Sequence, residues 1–304
     1  MILCCGEALI DMIPTDTGAF MPHVGGSVFN TAIALGRLGI NTGFLSGISS
    51  DHFGQMLCDA LQDSDVATDH LIRSERLTTL AMVHLINGSA TYSFYDENSA
   101  GRMIAPADLP PVPDDVSTLY FGGISLAAEP AADAYATLLQ RERKNRLVMI
   151  DPNIRPNFIA DETRFRKRLK RMFALADIIK TSDEDLDWLV PEKKTIEQQA
   201  LDLLAQGPAV IVVTRGESGA TVFTKTGTAS VSAPKVEVVD SVGAGDTFNA
   251  GFLASLYESN TLTRAAVRAA SASDLSSALR LGAQVAALTV SRAGANPPWR
   301  AELA

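Results

Sequence analysis

The chain has 304 residues, 46% hydrophobic and 20% charged, and 35 acidic against 26 basic side chains give it a net charge of −9. That balance argues against nucleic acid as a partner, and the densest basic run, Arg164 to Arg171, alternates with Phe165 and Leu169 as a solvated helix face does. No membrane-length apolar run or secretory leader is visible, and three cysteines (Cys4, Cys5, Cys58) without metal spacing suit reduced thiols, so the expectation is a cytoplasmic protein with no membrane partner.

Strand-like and helix-like stretches alternate along the chain, which predicts an α/β fold with a mostly parallel sheet. Strands are expected at 2–5, 42–46, 118–121, 147–150, 178–181, 210–214 and 221–224. Helices are expected at 29–38, 54–64, 131–144, 163–175, 184–189, 195–205, 246–258 and 274–288. The opening run Ile2-Leu3-Cys4-Cys5 reads as a central buried strand. Cys4 and Cys5 should point to opposite faces of it. Glu7 and Asp11 follow at the end where open α/β sheets bind ligands. Asp11 there is either an acceptor for neighbouring sugar hydroxyls or a solvated turn residue.

In Val24-Gly25-Gly26-Ser27-Val28-Phe29-Asn30 two glycines precede an amphipathic helix, with an amide one turn in. Such a loop can cover a sugar ring with Asn30 on its hydroxyls, or be a plain glycine-rich helix start. Residues 78–86 and 91–95 are β-rich runs joined around Asn87-Gly88, a hairpin signal that interrupts the βα alternation. In Asp151-Pro152-Asn153-Ile154-Arg155-Pro156, Arg155 can reach a sugar hydroxyl, a carboxylate or a phosphate. Asp151 and Asn153 more naturally fix the strand end. Gly216 and Gly219, in Val213-Thr214-Arg215-Gly216-Glu217-Ser218-Gly219, permit close backbone approach or a simple hairpin turn.

The most informative stretch is Asp240-Ser241-Val242-Gly243-Ala244-Gly245-Asp246-Thr247-Phe248. The β-branched run Val236-Glu237-Val238-Val239 before it predicts a strand, and apolar residues recur at helical spacing after it. A helix N-terminus presents unpaired N–H groups and a positive dipole end, and glycines let an anion approach them. Asp246 would stand where a substrate hydroxyl meets a bound phosphate, the arrangement that phosphoryl transfer requires. The alternative is an ordinary strand–turn–helix junction. No G-x-x-x-x-G-K-[ST] loop occurs, and Phe248 stands where a G-x-G-x-x-G fingerprint needs its third glycine.

The segments from Gly25 to Gly54 and from Asp240 to Asp246 resemble the two signatures of the ribokinase-like, or PfkB, carbohydrate kinases, in order and over essentially the whole chain. Glu7 to Asp11, Phe94-Tyr95 and Asp151 to Pro156 look most like the bacterial fructokinase branch. The resemblance implies one ribokinase-like domain over 1–304, with lid strands inserted at about 12–24 and 78–102. It implies Asp246 as general base and the N–H groups of Gly243, Ala244 and Gly245 as the anion hole. Sugar would meet Asp11, Gly25, Gly26, Asn30 and Arg155. ATP would meet Lys180, Ser182, Thr214, Gly216, Gly219 and Ala283.

Magnesium would accompany ATP, with Asp185 acting through water, because Ser182 and Asp185 stand where the family often has an Asn-x-x-Glu pair. Backbone oxygens at Asp240 and Val242, facing the loop at Arg292 to Gly294, would offer a site for K+. The partners implied are a sugar and ATP, with the protein a monomer or a homodimer through the lid. Fructose is the expected acceptor. 2-Keto-3-deoxygluconate, which Arg155 would suit, ribose, which Ser27 disfavours, and a silent sugar-sensing role are the alternatives.

Overall fold

The computed structural model describes residues 1–86 and 89–303. Its main sheet has nine strands in the order Gly227–Val231, Ala220–Thr224, Val210–Thr214, Ile178–Ser182, Leu147–Asp151, Thr118–Gly122, Ile2–Cys5, Thr42–Leu45 and Val66–Ala67. Pairing is parallel from Val210–Thr214 to Val66–Ala67, and the last two strands at the other edge are antiparallel. The parallel strands read as continuous apolar runs because helices cover both faces. Ile2–Cys5 is fully buried, and Cys4 and Cys5 fall into cores on opposite faces of the sheet.

Helices Ser27–Arg37, His52–Asp63, Ala244–Glu258 and Ser276–Val290 pack on the Cys4 side. Ala131–Glu142, Glu162–Phe173 and Ile196–Leu204 pack on the Cys5 side. Local chemistry fixes several starts: Asp51 accepts from Gly54 N, Asp161 from Arg164 N, and Thr195 forms a capping box with Gln198. After Ile2–Cys5 the chain builds outward through Thr42–Leu45, then crosses to Thr118–Gly122 on the other side. That reversal opens a crevice at the carboxyl ends of the two strands.

A second sheet of four strands, ordered Phe20–Gly25, Leu9–Pro14, Leu80–Ile86 and Ser89–Tyr95, stands over this crevice. The hairpin read between 78 and 95 is present as the last two strands, while its Asn87-Gly88 turn lies outside the described residues. Asp11 is therefore not at the end of the first strand: it lies within Leu9–Pro14, paired with His23 and Ala81.

The run Val236-Glu237-Val238-Val239 is not a strand. Val238 and Val239 are 66% and 60% exposed, and the N–H groups of Val239 and Asp240 donate to Val290 O at the end of a helix. β-Branched residues favour extended backbone, but no sheet edge accepts this segment. The edge strand Gly227–Val231 and the short helix Arg264–Ala269 were not expected; both are too short and polar to carry a clear period. Among the described residues, no helix is long and apolar enough to cross a membrane.

Candidate active site

A cavity of about 330 Å³ opens between the carboxyl edge of the main sheet and the four-stranded sheet. Two helix N-termini point into it, Gly26–Asn30 and Ser241–Asp246, from segments more than two hundred residues apart. Its lining brings together Asp246, Gly243, Ala244, Gly245, Asp11, Gly26, Asn30, Arg155 and Lys180 from the sequence-derived set. Gly25 backs this wall: a side chain there would run into the Asp11 carboxylate.

Helix Ala244–Glu258 begins after Gly243, whose φ of 77° is left-handed and whose Cβ would stand 2.8 Å from Ala295 Cβ. A larger residue would strain the turn that aims the following N–H groups. Asp246 lies in the first turn and is 7% exposed. Its Oδ1 accepts from Ser27 Oγ at 2.7 Å, its Oδ2 from Asn30 Nδ2 at 2.9 Å, and its main-chain oxygen from Thr31 Oγ1 at 3.1 Å. Burial raises the Asp246 carboxyl to about 6, while the Asn30 and Ser27 hydrogen bonds pull it back down.

Burial, reinforced by the Asp246 charge, raises Asp11 to about 6. Glu7 is raised to about 7, again mainly by burial. Its two oxygens accept from Ser27 N at 3.1 Å and Ser125 N at 3.2 Å. The Glu7 carboxylate fills the space that a side chain at Gly123 would need.

Beneath the glycine loop lies a cation. Lys180 Nζ donates to Asp151 Oδ2 at 2.9 Å and stands 3.0 Å from where a Cβ on Gly245 would be. Asn249 Nδ2 donates to the same Asp151 oxygen at 2.7 Å and to Tyr120 Oη at 2.9 Å. Asp151 Oδ1 accepts from Asn153 N, so this carboxylate holds both its own strand end and the lysine. Arg155 lines the mouth, its Nη1 donating to Ile154 O at 3.0 Å. Tyr92 and Phe94 project from the small sheet, and Phe94 packs edge-on to Phe158 at 4.9 Å.

The remaining expected residues stand outside this cavity. Ser182 caps helix Asp183–Leu189, its Oγ accepting from Asp185 N at 3.0 Å. Asp185 accepts from Ile154 N, and burial with the nearby Asp151 charge raises its carboxyl to about 6. Thr214 Oγ1 donates to Thr181 O at the adjoining strand end. Gly216 is exposed, whereas Gly219 lies against the backbone of Val231 to Ala233, where strand pairing demands a glycine. Ala283 is buried in the core on the Cys4 side. Arg215 turns to Thr221 Oγ1 over the edge hairpin.

Asp240 ties two loops through its side chain, Oδ1 accepting from Val242 N and Oδ2 from Gly294 N. Among the described residues, no group of three or more His, Cys, Asp or Glu could hold a metal ion. The sequence reading used Ser27 only against ribose and assigned no role to Tyr120 or Asn249. The available signal was polarity inside apolar periods, as in Thr118-Leu119-Tyr120-Phe121 and Thr247-Phe248-Asn249-Ala250.

Residues 1–302 match the family described as pfkB family carbohydrate kinase. A fructokinase of Rhizobium leguminosarum bv. trifolii is 50% identical over 268 residues, covering 87% of this chain and 82% of that protein. The structure of a fructokinase with bound ATP from Xylella fastidiosa superposes with a TM-score of 0.90 at 30% identity, covering 99% of this chain and 97% of that one. A fructokinase double mutant from Vibrio cholerae, in fructose-, ADP- and potassium-bound form, gives 0.83 at 26% identity over 97% and 93%.

Proposed function

Because this chain belongs to the pfkB family of carbohydrate kinases, we propose that it is a fructokinase, transferring the γ-phosphate of ATP to the primary hydroxyl of fructose. The observation that carries the mechanism is the placement of Asp246 in the first turn of a glycine-initiated helix, inside a cavity shared with Asn30 and Asp11. Asp246, held ionised by two donors, takes the proton from the attacking hydroxyl. The N–H groups of Gly243, Ala244 and Gly245 meet the charge developing on the transferring phosphoryl group. Asp11, Asn30, Gly26 and Arg155 orient the sugar against the Gly25-backed wall.

Lys180 approaches the same phosphoryl group from below, fixed by Asp151. Ser182, Thr214, Gly216, Gly219 and Ala283 form the nucleotide side. The four-stranded sheet acts as a lid over one domain, excluding water that would compete as acceptor. Magnesium would come with the triphosphate and neutralise its charge, and Asp185 would meet it through water, since among the described residues no group of three or more His, Cys, Asp or Glu forms a cage. A monovalent cation would use the backbone of the two loops joined by Asp240, and the potassium-bound form of the Vibrio cholerae fructokinase supports such an ion as a partner. We place the enzyme in the cytoplasm. Exposed Ile13, Phe20 and Met21 on the lid offer an apolar surface for a lid-to-lid homodimer, which light scattering separates from a monomer.

The test is ADP release with fructose, 2-keto-3-deoxygluconate, ribose, tagatose and adenosine, for wild type and Asp246→Asn. Fast turnover with fructose that drops by about 10²–10⁴ in Asp246→Asn is expected. Turnover with the keto-acid alone would overturn fructose and assign Arg155 to its carboxylate. Sugar or ATP binding without turnover would overturn the kinase mechanism in favour of a silent sensor.

A further inference from the structure

Asp246 is the only residue of its own helix start that the opposite half of the molecule grips through its carboxylate, and one of the two side chains gripping it has no part in the mechanism so far. We infer that Ser27 is a positioning residue, whose hydroxyl orients the Asp246 carboxylate for proton abstraction and keeps it in its charged form. The inference rests on Asp246 being the base.

Ser27 Oγ lies 2.7 Å from Asp246 Oδ1 and donates to it, so the oxygen farther from Asn30 is fixed as well. A carboxylate oxygen accepts more than one hydrogen bond, which leaves Oδ1 able to take the sugar hydroxyl as a second donor. Held by Asn30 alone, the carboxylate could turn about its Cβ–Cγ bond and lose its aim. Ser27 is itself anchored independently of its side chain: its N–H donates to Glu7 Oε1, and Glu7 is held in turn by Ser125 N. The loop therefore keeps its position when the hydroxyl is removed.

The charged and titratable groups facing Asp246 are Glu7 from the loop after the first strand, Asp11 from the lid, Asp151 and Lys180 from the strand ends, and the buried Tyr120. Three carboxyls against one lysine make ionisation of Asp246 depend on its donors. Removing the Ser27 hydroxyl disfavours the charged form, so the Asp246 pKa rises.

The experiment is the pH profile of fructose kcat/KM for wild type, Ser27→Ala, Ser27→Thr and Asp246→Asn, with thermal melts of each. Ser27→Ala is expected to move the acid limb upward by about 1 pH unit and to lower the plateau by about 3- to 10-fold, with a melt at pH 8 lowered by no more than about 3 °C. Ser27→Thr is expected to return the limb to its wild-type place. An acid limb that stays put in Ser27→Ala, with only KM altered, would overturn the inference while a collapsed Asp246→Asn leaves the base intact. A limb still displaced in Ser27→Thr would also overturn it. Turnover retained in Asp246→Asn would sink the base and this inference together.

Discussion

The carboxylate of Asp246 is held by donors from another helix, and Lys180 below it by a carboxylate from another strand. On the side proposed for the nucleotide, Gly216 and Glu217 are exposed. The contrast follows from burial. A charge taken out of water must find fixed partners, and those partners pre-organise the site. An exposed turn needs none, because water satisfies its polar groups. Acceptor-side substitutions should therefore act on kcat, and nucleotide-side ones on KM for ATP or on local stability.

After Asp246→Asn, the largest effect expected in breaking this contrast is at Gly243. Gly243→Val puts a β-branched side chain at φ 77° and against Ala295, turning the helix start away from the phosphoryl group. A kcat loss of about 10²–10³ is predicted, as when an anion-hole donor is removed. A kcat within threefold of wild type would show that these N–H groups do not meet the transition state.

The pH dependence sharpens the contrast, because the two sides of function run in opposite directions. Glu7, Asp11, Asp185 and Asp246 all have folded pKa values raised to between about 6 and 7. Over the window from about pH 4 to 7 the folded chain then binds more protons than the unfolded one. The stability these groups contribute is fully present below pH 4 and is lost as pH rises through 6 to 7. Activity should rise across the same window, as Asp246 ionises near pH 6. Asp246→Asn removes one of the four costs, so its thermal midpoint at pH 8 should rise by roughly 1.5–3 °C, from about 1–2 kcal/mol. A lowered midpoint would mean that the two hydrogen bonds outweigh desolvation.

The smallest effects separate two glycines of the nucleotide turn. A Cβ on Gly219 would run into the carbonyl oxygen of Val231, so Gly219→Ala should lower stability by about 2 kcal/mol or more. Gly216 has φ 48° and open space around it, so Gly216→Ala should cost about 1 kcal/mol and change KM for ATP a few-fold. Equal melts for the two variants would contradict the division between a pairing glycine and an open one.

Much of the cleft could be read from the chain because its parts are local. Gly243 to Asp246 and Gly26 to Asn30 announce helix starts by composition, and both do start helices. Asp11 lines the cavity from an element other than the one read for it, since a strand of six residues that begins three positions after Gly6 has no periodicity to separate it from the first. Residues 236–239 misled for the opposite reason: their propensity is real, but a strand exists only where a neighbour pairs with it.

The sequence by itself determined the α/β alternation, the two glycine-led helix starts and the acidic residue in the first turn of one of them. These are set by periodicity, capping and backbone freedom within a few residues. Only the tertiary structure decided what surrounds Asp246. Ser27 lies 219 positions away from it, Asn30 lies 216 away, and Asn249 reaches back 98 positions to Asp151. Such contacts leave no local pattern, because they exist only once the sheet has closed and burial has made each polar group seek a partner.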